Sequence, residues 1–431
     1  MSETRDYISV RIDDMLSDFP TLHYKHSIFK VSDDLRYGNE KLYEPKILAI
    51  GPSHHGKNHL QKMEKHKLRY LKLLLKRNYE SSVDRYVIAI RSLEKEALRC
   101  YAEPIELSSD DFVQMLLLDG IFVIEILRKY GLDYLRDSDD TIFQYEQVLS
   151  QIRHDLMLVE NQVPFILLDQ LFSMTKTGNP DDEILYLILL FIDDISPWPG
   201  ASEITEKVSS KNVDHLLGLV YKIWSCSFAN TTANRPNPVK TEEEKMVPIN
   251  STSELQVAGI KFAKYRESSY CLDIKFTKGV MKIPGFDVSD ATESILRNLI
   301  AYEHFFIDNR PKYVTDYAFL LHCLINSSKD VEILRRRGII TNLLGDDEMV
   351  YLMFNRLGRN VLISSDFCYG DVFKKVDWHC GKRWNRWIAN LRKNYFNSPW
   401  AIVSVFAALM LLLFTLTQTV FSVLSYTKTK S

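Results

Sequence analysis

From Asn394 to Thr427 the sequence contains no Asp, Glu, Lys or Arg. The centre of that interval, Trp400-Ala-Ile-Val-Ser-Val-Phe-Ala-Ala-Leu-Met-Leu-Leu-Leu-Phe-Thr-Leu, is almost wholly apolar. A bilayer core of about 30 Å takes about 20 such residues in one helix, and a helix satisfies its own backbone there. A buried core helix rarely runs this long without charge. A single transmembrane helix over residues 400–426 is therefore expected, with the lipid bilayer as partner through Trp400–Tyr426.

Other absences narrow the classes further. The charged start Met1-Ser-Glu-Thr-Arg-Asp-Tyr has no apolar stretch after it, which argues against a cleavable signal peptide. Position 2 is not Gly, which excludes myristoylation. The expectation is a tail-anchored protein. Six cysteines are scattered without a CxxC pair, a usage that fits buried thiols in a reducing compartment rather than a disulfide framework. A net charge of -2 argues against bulk nucleic-acid binding, so no nucleic-acid partner is expected.

The edges of the uncharged run are informative. Tyr395, Phe396 and Trp400 precede it and Tyr426 closes it, as aromatic residues do at membrane interfaces. Upstream lie Lys374, Lys375, Lys382, Arg383, Arg386, Arg392 and Lys393 against Asp377 alone. The positive-inside rule then puts the large N-terminal body in the cytosol, and a plasma-membrane location is expected. The sequons at Asn230, Asn250 and Asn326 are of a kind that arises by chance at this length.

Hydrophobic content of 46% and charged content of 26% are ordinary for a globular body. The periodicity predicts a mainly α, helical body with a small inserted β-hairpin or three-stranded sheet, followed by the C-terminal transmembrane helix. Residues 1–26 read as a polar leader and 27–229 as an N-terminal helical part. Residues 230–253 read as a flexible linker or insertion, and 254–393 as a C-terminal part with hairpin and helices. Ile28–Val31 and Lys46–Ile50 look like short extended pieces. Helical spacing predicts helices at His59–Arg77, Tyr86–Glu103, Phe112–Tyr130, Thr141–Val159, Pro164–Met174 and Ile184–Ile192. Ser108 is a helix start before Phe112, and Gly131 is the expected C-cap. Leu272–Phe276 and Val280–Ile283 alternate about Lys278-Gly279, a hairpin, which Gly259–Phe262 extends as a third strand. Helices resume at Ala291–Phe306, Val314–Ile325, Asp330–Arg337 and Asp346–Leu357.

Four constellations have the residue types of chemistry. Gly51-Pro-Ser-His-His-Gly56-Lys57 satisfies G-x-x-x-x-G-K, and Leu189-Leu-Phe-Ile-Asp193-Asp194 mimics its Mg²⁺-holding partner. Yet position 58 is Asn rather than Ser or Thr, and Pro52 removes a backbone N–H that a phosphate cradle needs. The turn reads better as a tight helix start; an NTP-binding enzyme using Gly51–Lys57 is the alternative. His54, His55, His59 and His66 cluster near Glu64, but no third metal ligand stands at a suitable interval. Asp155-Leu-Met-Leu-Val-Glu160-Asn161-Gln162-Val-Pro164 puts a polar trio inside an apolar stretch, where each member needs a hydrogen-bond partner. It reads as a helix junction with Asn161 as cap and Pro164 at the next helix start. Arg297, Asn298 and Glu303 recur along one helix and read as an internal polar network. No catalytic residue, cofactor site or metal site is assigned, and no enzyme is expected.

Several stretches together resemble one family, the plant domain-of-unknown-function 247 proteins. In order they are Ile28-Phe-Lys-Val-Ser-Asp-Asp-Leu-Arg36, Asn39-Glu40, Tyr43-Glu-Pro45, Ile50-Gly-Pro-Ser-His-His-Gly-Lys57 and Met63-Glu-Lys-His-Lys67. Glu96–Tyr101, Leu118-Asp-Gly-Ile-Phe122, Asp155–Phe165, Leu272–Phe276, Arg297–Glu303, Asp330–Ile340 and Tyr395–Trp400 follow. The sequence departs from the family pattern at Ser32, where Pro is usual, and at Asn250-Ser-Thr-Ser-Glu-Leu255, where Pro-Ser-Ala-Thr-Glu-Leu is usual. The resemblance implies a single-pass, C-terminally anchored plant protein with no established catalytic residues. Grass relatives are associated with self-incompatibility. Recognition or signalling through an unknown protein partner is the function expected, and a self-associating structural membrane protein, a homo-oligomer, is a further alternative.

Overall fold

The computed structural model describes residues 6–17, 26–199, 213–233, 248–265, 271–305, 310–358, 366–381 and 399–429. The polar stretch at 234–247, the basic residues 382–393 and the boundary residues 394–398 lie outside the described residues. The chain divides into two compact units. The first comprises Met1–Ile195, Thr205–Ile223 and Arg297–Tyr302, and the second Ser196–Ile204, Trp224–Leu296 and Glu303–Ser431.

In the first unit α1 (Tyr7–Ser17), α2 (Asp33–Arg36), α3 (Gln61–Arg77) and α4 (Asp84–Cys100) lead to α5 (Ser109–Gly131). α6 (Thr141–Gln144), α7 (Glu146–Leu156), α8 (Phe165–Met174) and α9 (Ile184–Asp193) follow. α5 is the centre. Ser108 caps it, its hydroxyl accepting from the Asp111 amide. Every residue from Phe112 to Lys129 except Gln114 is buried, because α3, α4, α8 and α9 all pack on it. A helix that is apolar nearly all round belongs in such a position.

Four charges are buried with α5, and each is tied to a different neighbour. Asp119 pairs with Lys67 of α3. Glu125 receives both terminal nitrogens of Arg77, at 2.7 and 2.8 Å. Arg128 donates to Asp182 at 2.9 Å and to Thr175, and Lys129 to Asp140 at 2.7 Å. Such pairs fix register more than they add net stability. Apolar contacts carry the cohesion: Phe122 is fully buried, with Tyr70 stacked on it at 5.2 Å between centroids.

The segment expected as one helix over Thr141–Val159 is two, parted at Tyr145, whose backbone is extended. Gly131 is the last helical residue rather than the cap, which is Leu132. Ile28 makes a single bridge to Tyr101, and Lys46–Ile50 is in no strand.

α10 (Leu216–Ala233), which the sequence reading left unmarked, precedes α11 (Thr252–Val257), which opens on a reciprocal Ser251–Glu254 capping box. In the second unit β1 (Lys261–Tyr265), β2 (Lys275–Thr277) and β3 (Val280–Pro284) form a sheet in the order β1-β3-β2. β2 and β3 are the expected antiparallel hairpin, and β1 joins β3 in parallel. Its turn, Lys278-Gly279, has φ of +50° and +77°, the double positive φ that two-residue hairpin turns use. A second small sheet pairs β4 (Phe286–Val288) with β5 (Ile340–Asn342) in parallel. α12 (Thr292–His304), α13 (Tyr313–Leu324), α14 (Ser328–Arg336), α15 (Asp347–Leu357) and α16 (Gly370–Gly381) follow among the described residues. Trp198 is the hub of this unit's core, against Trp224, Phe286 and Tyr317 at 5.2–5.7 Å between ring centroids.

The last helix spans Pro399–Thr429. Among the described residues, no helix is long and apolar enough to cross a membrane. Of the transmembrane helix expected over 400–426, the structure shows a helix, Pro399–Thr429, and, among the described residues, no span.

If α5 organises the first unit through apolar packing, Phe122→Ala lowers its stability by about 3–5 kcal/mol. A urea unfolding midpoint unchanged from wild type would refute that role.

Candidate functional site

The sequence constellations converge at one polar junction of the first unit. Residues 46–51 run beside the α7–α8 connection without joining a strand, with Leu48, Ala49, Ile50 and Gly51 buried. Their amides need acceptors, and side chains provide them. Asp155, fully buried, accepts from the amides of Lys46, Ile47 and Leu48 at 2.8–2.9 Å. Asn161 accepts from Ile50 at 2.7 Å and donates to Leu48 O and Asp155 O. Asp119 accepts from the Gly51 amide at 2.8 Å. Lys67, fully buried, bonds both Asp119 and the Ala49 carbonyl. Burial opposes the Lys67 charge, but Asp119 and Glu64 outweigh it and hold the ammonium above its ordinary value. Burial raises the Asp119 carboxyl, with Lys67 and the Gly51 amide pulling the other way.

Gly51 turns the chain with φ +74° and ψ -177°, a region open in practice to glycine. A Cβ there would sit 2.2 Å from the Gln162 carbonyl oxygen. Pro52–His54 then make a single 3₁₀ turn. Gln162 itself donates to Leu156 O and Leu158 O. So the polar trio does form a helix junction, with Pro164 at the N-cap of α8, but Asn161 holds the 46–51 segment instead of capping that helix.

A second tier surrounds His54. Glu160 accepts from the Val31 amide at 2.6 Å and from Arg36. Glu44 accepts from Arg36 at 3.0 Å and Lys57 at 2.6 Å. Lys57 and Arg36 keep the Glu44 carboxyl ionised against the cost of its partial burial, below its usual value. His54 lies between the two carboxylates, 3.6 Å from each, and neither ring nitrogen is hydrogen-bonded. Burial, reinforced by Lys57, pushes its pKa down to about 4.

This geometry weighs against a phosphate cradle. The lysine of the G-x-x-x-x-G-K match faces Glu44, and the amides entering the turn face Asn161 and Asp119. The remaining histidines diverge: His55 is exposed and His59 contacts the Pro45 carbonyl at 3.3 Å. Among the described residues no three metal-ligating side chains converge. Asn298 and Glu303, expected in one polar network with Arg297, both accept from backbone amides. Asn298 accepts from the Val159 amide and donates to Leu42 O in the first unit. In the second unit Glu303 accepts from the amides of Val314 and Thr315 at the start of α13. Sequence reading missed Arg36, Glu44, Lys67 and Asp119. All four lie in stretches that carry the family resemblance, and Lys67 and Asp119 are also charges on the apolar stripes of long helices.

A family model described as a plant protein of unknown function, domain of unknown function 247, matches residues 28–414. The chain belongs to this family. A UPF0481 protein of Arabidopsis thaliana is 30% identical over 421 residues, covering 94% of this chain and 87% of the relative. A putative UPF0481 protein of the same plant is 22% identical over 498 residues, covering 95% and 93%. No solved structure matches the chain. In this member of the plant family, the motifs Ile50–Lys57 and Asp155–Phe165 are the two halves of one clamp.

Gly51→Ala incurs on the order of 1–3 kcal/mol of backbone strain plus the clash with Gln162. Gly56, also at positive φ but with nothing within 4 Å of a Cβ, loses only about 1–2 kcal/mol as alanine. Equal urea midpoints for the two variants would remove the clamp's claim on Gly51. A pH effect follows from His54 and from fully buried His215, whose pKa burial also lowers to about 4. Below pH 6.5 the unfolded chain takes up protons that the folded chain refuses, so stability is intact above 6.5 and falls toward 4. Each histidine adds up to about 1.4 kcal/mol per pH unit to that slope, and His54→Gln flattens it. A wild-type urea midpoint independent of pH between 7 and 4.5 contradicts this.

Proposed function

We propose that this protein is held at a membrane by the Pro399–Thr429 helix and works there by recognising another protein, with its body in the cytosol. The observation that carries the reading is the helix's surface. Val403, Phe406, Leu409–Phe414, Leu416, Val420 and Phe421 are 42–70% exposed, in a stretch without charge. A helix apolar all round and covered by no protein has hydrocarbon as its fitting solvent. Its polar side chains agree with that. Thr415, Thr417 and Thr419 return their hydroxyls to carbonyls one turn back, Leu411 O, Leu413 O and Thr415 O, at 2.6–2.7 Å, which leaves few unmet donors in a lipid environment.

Recognition is favoured over catalysis by what the polar groups already do. Asp119, Asp155, Glu160 and Asn161 all accept from backbone amides, Asp119 and Glu160 are also paired with Lys67 and Arg36, and each of the four is at least 96% buried. Groups in that service hold geometry and are not presented to a substrate. The self-incompatibility role implied by the resemblance is one form such recognition takes.

Full-length protein in plant membranes should resist carbonate extraction, and the chain ended at residue 398 should be released; release of both defeats the anchor. Asn250 and Asn326 are exposed, so a cytosolic body leaves them unmodified. A mass shift on glycosidase treatment defeats that orientation. Cross-linking in intact membranes should recover a defined protein neighbour, and recovery of lipid-handling background alone argues against recognition.

A further inference from the structure

α16 buries one stripe, Val372, Phe373 and Val376, and packs on β2, where His379 stands edge-on to Phe276 at 5.6 Å. Its other side is turned outward. Lys374, Lys375 and Trp378 are exposed, and Trp378 leaves 67% of its surface uncovered. Spacings of three and four residues put both ammonium groups on the same face as the indole. The same spacing puts exposed Asp371 on this face, one turn before the lysines, while exposed Asp377 is rotated to the side. An outward indole beside lysines whose stems can lie along an apolar layer has the make-up of an interfacial helix.

Where the chain goes next gives that face its occupant. Gly381 ends α16 and Pro399 begins the last helix. Residues 382–398 between them reach at most ~60 Å whatever their conformation. They carry Lys382, Arg383, Arg386, Arg392 and Lys393 without one acidic residue. If the last helix enters a bilayer, α16 is kept within that radius of the headgroups. Tethering converts a weak contact into an intramolecular one at an effective concentration of about mM.

We infer that the outward face of α16, centred on Trp378 with Lys374 and Lys375, docks on the anionic headgroup layer of the bilayer that holds the C-terminal helix. This rests on the membrane reading above and adds to it an oriented second unit, with α16 between the three-stranded sheet and the lipid. The occupant is lipid because both features of the face, indole and ammonium, match that layer together.

The test uses full-length protein reconstituted in neutral and in phosphatidylserine-containing vesicles, with brominated lipids as quenchers. The emission difference between wild type and Trp378→Phe isolates Trp378, and matched urea midpoints show that both chains are folded. That component should be blue-shifted and quenched in the anionic vesicles. Lys374→Glu/Lys375→Glu should lose most of the quenching, because reversing two charges shifts docking by roughly tenfold or more. A Trp378 component that stays water-like and unquenched in anionic vesicles overturns the inference. Carbonate extraction of the same vesicles reports on the anchor separately. A retained chain with unquenched Trp378 has an anchor and no docked face, and an extractable chain with quenched Trp378 has the face without the anchor.

Discussion

The first unit depends on finding acceptors for the buried amides of a segment that pairs with no strand. Leu48, Ala49 and Ile50 are too apolar to lie in solvent, and their burial takes the backbone with them. An unpaired buried amide costs about 1–3 kcal/mol, so the segment could not be buried without partners. Asp155 alone serves three amides, and Asn161 and Asp119 serve the next ones. Hydrogen bonds to a charged acceptor contribute about 1.5–3 kcal/mol each, more than neutral pairs would. This arrangement sets the position of the α7–α8 junction against the chain entering α3. The placement of Glu160 beside Val31 and Arg36 follows from it.

The same constraint explains why α5 contains charges at all. Asp119 must reach the Gly51 amide from the middle of a buried helix, and it is compensated there by Lys67, itself fully buried. Desolvating two ions costs several kcal/mol apiece, so apolar packing gives the better account of α5's cohesion. What the ion pairs provide is geometry. Lys67 also bonds the Ala49 carbonyl, so one ammonium fixes α3, α5 and the 46–51 segment together. A hydrophobic replacement could fill the volume, but it would leave the Gly51 amide and the Ala49 carbonyl without partners.

Local signals in the sequence were legible where the cause is local. α3, α4, α5, α8 and α9 show their periodicity, Ser108 caps as its spacing predicts, and Lys278-Gly279 makes the hairpin turn. The site was legible only in part. Glu160, Asn161 and Gln162 stood out as polar residues in an apolar run, but the amides they accept from, of Val31, Ile50 and Leu217, are 55 to 129 residues away. Nothing in the spacing of Asn161 separates an N-cap from a side chain that holds a distant amide. α10 shows no clear polar face, and β4 and β5 are three residues each, too short for an alternation to register. Asn298 and Glu303 share a helix, yet the amides they accept from are at Val159 and at Val314 and Thr315, far apart in the sequence.

The Gly51–Lys57 turn has its amide and its lysine satisfied by carboxylates of the protein. A glycine turn with inward amides and a following lysine attracts anions, and that attraction is the basis of phosphate cradles. Here the anions are carboxylates of the protein itself: Asp119 at the Gly51 amide and Glu44 at Lys57. The turn is an internal fastening, and the family stretches Ile50–Lys57 and Asp155–Phe165 are fold determinants here. Family membership then predicts the scaffold better than the act. Activity in such a protein is to be sought on surfaces that these fastenings leave outward, where a change of side chain alters contacts without loosening the clamp.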